Sequence, residues 1–194
     1  MIIMPEKLQE LMDELKKTSA ETYYHSLHVK ALCIKMIKLM NSRKFSDFTA
    51  EETASICKGA LLHDIGKLFV KNVILTKEHK LTPEEMTDIV NHTKFGFEAV
   101  CDVLTGDEYE IIKNICLYHH ERIDGSGYEK KTDIPLYVQI VSACDVFDAL
   151  NSDRIYRKGF SRDETIKIIE SGQCGAFSKE VIEYLKEVTA EDDE

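Results

Sequence analysis

Positive charge is what this chain has too little of. Its 25 lysines and arginines face 35 aspartates and glutamates, for a formal net charge of −10. Wrapping DNA or RNA needs basic surface to displace counterions, so a nucleic-acid polymer is excluded as a partner. A small anionic substrate is not excluded, because bound metal ions would dominate the local charge at its site. No apolar run has the length a membrane span needs, and Met1-Ile2-Ile3-Met4 is too short for a signal segment. The expectation is a cytoplasmic protein with no membrane contact. The six cysteines, at 33, 57, 101, 116, 144 and 174, form no CxxC pair. Most sit in apolar helical patterns and read as reduced, buried thiols. Internal repeats and Pro/Gly/Ser-rich linkers are missing too, which leaves one domain, well within reach of 194 residues.

Strand signals are scarce. Phe69-Val70 and Val73-Ile74-Leu75 are the only β-like fragments, and both are too short to build a sheet. Helix signals run nearly throughout. Pro5 fits a first-turn position before Leu8, Leu11, Met12 and Leu15. Thr18-x-x-Glu21, Thr49-x-x-Glu52 and Ser161-x-x-Glu164 have capping-box spacing, and Thr82-Pro83-Glu84-Glu85 adds a first-turn proline to a box. Phe97, Val100, Cys101 and Leu104 make an apolar stripe that Gly106 is expected to end. Ile111, Ile112, Ile115 and Cys116 lead to His119. Pro135 precedes a helix with Ile140, Val141, Cys144 and Asp145, and Ser178 can cap a last one. The reading is all-α.

What is present is a set of histidines beside carboxylates. His25, His63, His92, His119 and His120 account for five of the seven histidines. A mixture of imidazole nitrogen and carboxylate oxygen suits iron, manganese or zinc better than magnesium or calcium. Glu21 and His25 share a helix face at i,i+4, although Glu21 has an equal claim as the partner of Thr18 in a cap. His28 reads as a supporting or ordinary helix histidine. His63-Asp64 closes an apolar helix before Gly66-Lys67, which sets a cation beside an imidazole and a carboxylate. His92 after Met86, Ile89 and Val90 could equally be a core or capping residue. His119 and His120, if the helix persists, are rotated by about 100° and would serve two neighbouring ions. Asp145 on an apolar face needs a partner, metal or arginine, since an unpaired buried charge is costly. Taken together, these side chains are too many for one ion and enough for two or three.

The chain resembles the HD-GYP branch of the HD-domain metal phosphohydrolases. The matching segments are His25-Ser26-Leu27-His28-Val29, His63-Asp64-Ile65-Gly66-Lys67, Asn91-His92-x-x-x-Gly96, His119-His120-Glu121-Arg122-x-Asp124-Gly125-Ser126-Gly127-Tyr128, and Asp145-Val146-Phe147-Asp148 through Arg154-x-Tyr156-Arg157-Lys158. They run in family order over about residues 20 to 160. The resemblance implies an HD-domain helical bundle with a metal centre in its core. It implies a single such domain over 1–194, with an N-terminal helix to 18, a catalytic core over 19–160, C-terminal helices over 161–190 and an acidic tail over 191–194. Glu21, His25, His63, Asp64, His92, His119, His120 and Asp145 become the implied ligands of two or three divalent transition ions, iron or manganese foremost. The implied activity is hydrolysis of a cyclic dinucleotide, cyclic di-GMP foremost. Its mechanism would be attack by a hydroxide bridging ions that share Asp64.

Lys67 would add positive charge at the phosphate; otherwise it is a surface lysine. Tyr128 would stack on a base or bond a phosphate; otherwise it is a loop tyrosine. Arg154 and Arg157 would grip the second phosphate; otherwise they are a solvated cluster. Two departures fall in the motifs: Gly127-Tyr128-Glu129 replaces Gly-Tyr-Pro, and Arg154-Ile155-Tyr156 replaces Arg-Pro-Tyr. They bear on substrate preference more than on hydrolysis. Regulatory input is expected from a partner protein or a second copy. The rival readings are a phosphohydrolase of a mixed cyclic dinucleotide, linear dinucleotide or mononucleotide, a non-catalytic nucleotide receptor, and a purely structural helical domain.

Overall fold

The computed structural model describes residues 4–75, 77, 80–153 and 158–190. Among them there is no strand, and the two β-like fragments lie in and around short helical turns. The helices are α1 (Glu6–Thr18), α2 (Ala20–Ser42), α3 (Ala50–Leu62), α4 (Asn72–Leu75), α5 (Pro83–Val90), α6 (His92–Cys101), α7 (Gly106–Tyr118), α8 (Leu136–Asn151), α9 (Arg162–Glu170) and α10 (Lys179–Ala190). A 3-10 segment, Ile65–Phe69, follows α3.

Three helix starts carry the expected reciprocal capping boxes: Thr49 with Glu52, Thr82 with Glu85, and Ser161 with Glu164. Thr18-x-x-Glu21 does not form one. Thr18 closes α1, its hydroxyl donating to the Glu14 carbonyl, and Ser19 takes the junction with α2 instead. Gly106 also differs from expectation. α6 has already ended at Cys101, and Gly106, at φ +70°, is the first residue of α7.

The core has two parts. One gathers Val29, Cys33, Met36 and Met40 of α2 with Ile56, Val141, Cys144, Ile169 and Leu185. The other gathers Leu8, Met12 and Leu15 of α1 with Leu62, Ile65, Val100, Ile112 and Cys116. α3 and α7 contribute to both, Ala60 and Ile115 to the first, Leu62 and Ile112 to the second. They pack closely: a Cβ on Gly59 would lie 2.4 Å from Ile115 Cδ1. Both helices end where the two parts meet, and their C-terminal residues run into His63-Asp64 and His119-His120.

No helix among the described residues is long and apolar enough to cross a membrane. The cysteines are free thiols, with 33, 57, 116 and 144 buried and 101 and 174 partly exposed. The acidic stretch 191–194 lies outside the described residues.

Candidate metal centre

Seven of the eight expected ligands converge in two adjacent groups. In the first, Asp64, His92, His119 and His120 each offer an atom within 4.8 Å of the others. In the second, His25, His63 and Asp145 do the same. Local structure aims them. His63 and Asp64 follow the last residue of α3, and the 3-10 turn after them packs on α6 so tightly that a Cβ on Gly66 would lie 1.9 Å from the His92 carbonyl. His92 opens α6. α7 ends at Tyr118, so the helix does not persist through His119 and His120. Their rings lie 4.2 Å apart and join the same group, contrary to the expectation that they would face two ions.

Tautomers are fixed by backbone acceptors. Nδ1 of His63 donates to the Ala60 carbonyl at 2.8 Å, Nδ1 of His92 to Ile89 at 2.6 Å, and Nδ1 of His119 to Ile115 at 3.0 Å. Each leaves Nε2 as a lone-pair donor pointed inward. His92 Nε2 and His119 Nε2 then face each other at 3.3 Å, with Asp64 Oδ1 3.3 Å from the former and 3.8 Å from the latter. Asp64 Oδ1 and His63 Nε2 are buried without any hydrogen-bond partner. Buried polar atoms are normally satisfied, and a cluster of acceptors alone is satisfied by a cation. The donor set therefore fits transition-metal ions.

Asp64 spans the two groups. Oδ1 faces His92 and His119, whereas Oδ2 lies 3.5 Å from His63 Nε2 and accepts from Lys67 Nζ at 2.5 Å. Burial would raise the Asp64 carboxyl, but Lys67, His63 and His92 hold it well below the usual range. Burial pushes His119 well down, reinforced by the imidazoles of His120, His63 and His92. Burial also lowers His120 to about 3. In the second group burial disfavours charge on His25, yet hydrogen bonds to Asp145 (2.9 Å) and Asp148 (2.6 Å) outweigh it and raise the imidazole to about 9. Burial would raise Asp145 as well, and the hydrogen bond to His25 together with the nearby His63 imidazole pulls it well below its ordinary value. The partners of Asp145 are thus histidines, with no arginine bonded to it among the described residues.

Glu21 lies one turn before His25 in α2, is exposed, and belongs to neither group. His28, mostly exposed, contacts Asp148 Oδ1 at 3.3 Å, in line with a supporting role. Lys67 is spent on Asp64. Tyr128 lays its ring 4.5 Å from His120 at 34°. Arg154 and Arg157 lie outside the described residues.

Sequence reasoning gave no role to three residues that hold the site. Asp148 orients His25; its signal was the i,i+3 spacing from Asp145 on a buried helix face. Buried Glu121 accepts from the backbone N–H of Glu129 (2.8 Å) and Lys131 (2.7 Å), fixing the loop that carries Tyr128. The Glu129 side chain instead pairs with Lys94 at the surface, away from the ligands. Arg122 donates to the carbonyls of His119 and Glu121 and to Ser142 of α8.

A family model described as the HD domain matches residues 22–150. The chain is 36% identical over 156 residues to a cyclic di-GMP phosphodiesterase of Pseudomonas aeruginosa, covering 79% of this chain and 36% of that protein. It is 32% identical over 187 residues to the 3′3′-cGAMP-specific phosphodiesterase 2 of Vibrio cholerae, covering 94% and 34% respectively. The chain thus spans about a third of the length of these relatives. The structure of an HDG"Y"P protein from Bdellovibrio bacteriovorus superposes with a TM-score of 0.67 at 21% identity, covering 94% of this chain and 60% of that one. The phosphodiesterase PgpH HD domain of L. monocytogenes superposes with a TM-score of 0.63 at 15% identity, covering 94% and 97%. At those identities the two structures speak to the fold.

Proposed function

We propose, from the premise that this chain belongs to the HD-domain family, that it is a metal-dependent phosphodiesterase acting on a cyclic dinucleotide, cyclic di-GMP foremost. One observation carries the reading: two donor groups, sharing Asp64, contain buried acceptor atoms that nothing in the fold satisfies. The relatives named for cyclic dinucleotide hydrolysis support the substrate class. The first group would hold one ion through Asp64, His92, His119 and His120, and the second another through His25, His63 and Asp145. Iron or manganese suits these donors. When bound, the ions would supply Lewis acidity to the phosphodiester and to the attacking water.

The chain's own residues do the rest. Asp64 fixes the spacing of the two groups, and Lys67 steadies its Oδ2. The carbonyls behind His63, His92 and His119 engage Nδ1 and so present Nε2 inward. Asp148 orients His25 through Nδ1. Tyr128, tilted over His120, offers a flat face at the edge of the centre. A third ion would have to recruit Glu21, which stands one turn before His25. We assign the protein to the cytoplasm, with regulatory input from a partner protein or a second copy.

The test is anaerobic reconstitution with Mn²⁺ or Fe²⁺ followed by a panel of cyclic di-GMP, 3′3′-cGAMP, linear dinucleotide and mononucleotide. The expected outcome is conversion of a cyclic dinucleotide to its linear form. Tight nucleotide binding by metal-loaded protein without turnover would instead make it a receptor. The mixed substrate belongs on the panel because relatives named as 3′3′-cGAMP-specific match 66%, 94% and 84% of the chain.

A further inference from the structure

The second part of the core does not close at the surface. Leu11 of α1, Leu68 of the 3-10 segment and Ala99 of α6 pack on its edge and stay partly exposed. Beyond them Phe69 stands 53% exposed, and its ring meets that of Phe95 edge-on at 6.3 Å. Two hollows flank Phe69 along α1. One, of about 420 Å³, lies toward Thr18 and is walled by Leu11, Leu15, Leu68, Phe69 and Leu75. The other, of about 580 Å³, lies toward Lys7 and is walled by Leu11, Phe69, Phe95 and Ala99. Leu11 and Phe69 line both, so the hollows form one groove. From Lys7 to Thr18 it follows about 16 Å of helix, three turns of α1.

An exposed apolar patch with hollows beside it marks a place where something binds, and the charge on its rim says what. The rim carries three carboxylates, Glu14, Glu98 and Asp102, against Lys7 and Lys67. Lys67 is already held by Asp64, and Lys7 lies 3.9 Å from Asp102. Glu14 has Lys17 at 3.8 Å, an exposed and weak pair. The groove is left with excess negative charge, on Glu98 foremost. A second copy would bring a formal charge of −10 of its own, and a nucleotide would bring phosphates; the rim opposes both. A cationic helix with an apolar stripe fits instead. Its side chains on successive turns can enter the hollows on either side of Phe69, while its lysines or arginines meet the acidic rim. Such a helix would rest on the elements that carry two of the ligands. The 3-10 segment starts directly after Asp64, α6 opens with His92, and Gly66 packs against the His92 carbonyl.

We propose that this groove is a docking surface for a basic amphipathic helix of a partner protein, laid along α1 with apolar side chains astride Phe69. The proposal does not depend on the phosphodiesterase reading, and its test needs no turnover. The chain contains no tryptophan. Emission from a Leu/Lys amphipathic peptide of about five turns, bearing one tryptophan on its apolar face, therefore reports binding to the full chain reconstituted with Mn²⁺. A saturable blue shift at one peptide per chain is expected. Phe69→Ser should weaken binding about tenfold, as for the loss of one apolar anchor. Glu98→Lys, on the exposed rim, should weaken it about threefold, and melting curves check that both variants fold. A Leu/Glu peptide with the same apolar face should not bind. Equal binding of the two peptides would overturn the proposal, because the rim would then select nothing. Unchanged affinity in folded Phe69→Ser would also overturn it, by placing the peptide elsewhere on the acidic surface. So would a dimer of the free chain, seen by sedimentation, that Phe69→Ser dissociates, since the groove would then belong to a second copy.

Discussion

The two ligand groups differ in how they live without metal. In the first, three imidazoles and a carboxylate face one another with acceptor atoms only, and burial drives His119 and His120 toward their neutral forms. In the second, hydrogen bonds to Asp145 and Asp148 favour the charged form of His25, while His63 Nε2 stays buried without a partner. One group is poised for a cation; the other must give up a proton to take one. Asp64 joins them, with one oxygen on each side.

The largest effect should come from removing that joint. Asp64→Ala should abolish turnover of the metal-loaded enzyme and lower bound metal at both groups, measured by elemental analysis beside a product assay. Full activity with full metal content would show that the groups do not depend on a shared carboxylate. Next, the groups should separate by mutation. His119→Ala should empty the first group and His25→Ala the second, each leaving close to one ion per chain. Loss of both ions from either variant would mean that the division into two groups is wrong.

A smaller effect should appear with pH, and only in the metal-free protein. His25 has its folded pKa raised from 6.5 to about 9. Its contribution, about 3 kcal/mol, should be present in full below pH 6.5 and lost as pH rises toward 9. Chemical denaturation of the metal-free protein across that window measures it. His25→Gln should flatten the profile, and an unchanged profile would place the stabilising proton elsewhere. The smallest effect concerns the loop. Glu129→Pro restores the family residue but deletes the N–H that donates to buried Glu121. A loss of about 1 kcal/mol in stability is expected, as for one hydrogen bond with its acceptor left buried. A variant as stable as the parent would show that Lys131 N alone holds Glu121.

Where side chains within one turn decide the outcome, the chain could be read directly. The boxes at Thr49, Thr82 and Ser161 formed as their spacing required. Thr18 misled because Ser19, one residue on, takes the helix junction. The candidate ligands were legible because imidazoles and carboxylates on apolar helix faces, or just past apolar helix ends, have little else to do there. Their division was not, since it depends on α7 ending one residue before His119. Asp148 and Arg122 stayed hidden for a related reason: Asp148 meets His25 across 123 residues, and Arg122 meets the Cys174 carbonyl across 52. The i,i+3 spacing from Asp145 marks the buried face that Asp148 shares, but no local pattern names a partner so far along the chain.

The most direct test of a shared carboxylate between two ion sites is electron paramagnetic resonance of the Mn²⁺-loaded protein, titrated from one to two equivalents. A spectrum that changes from isolated to exchange-coupled Mn²⁺ at the second equivalent is expected. Isolated Mn²⁺ signals at full occupancy, or saturation at one ion per chain, would contradict the account.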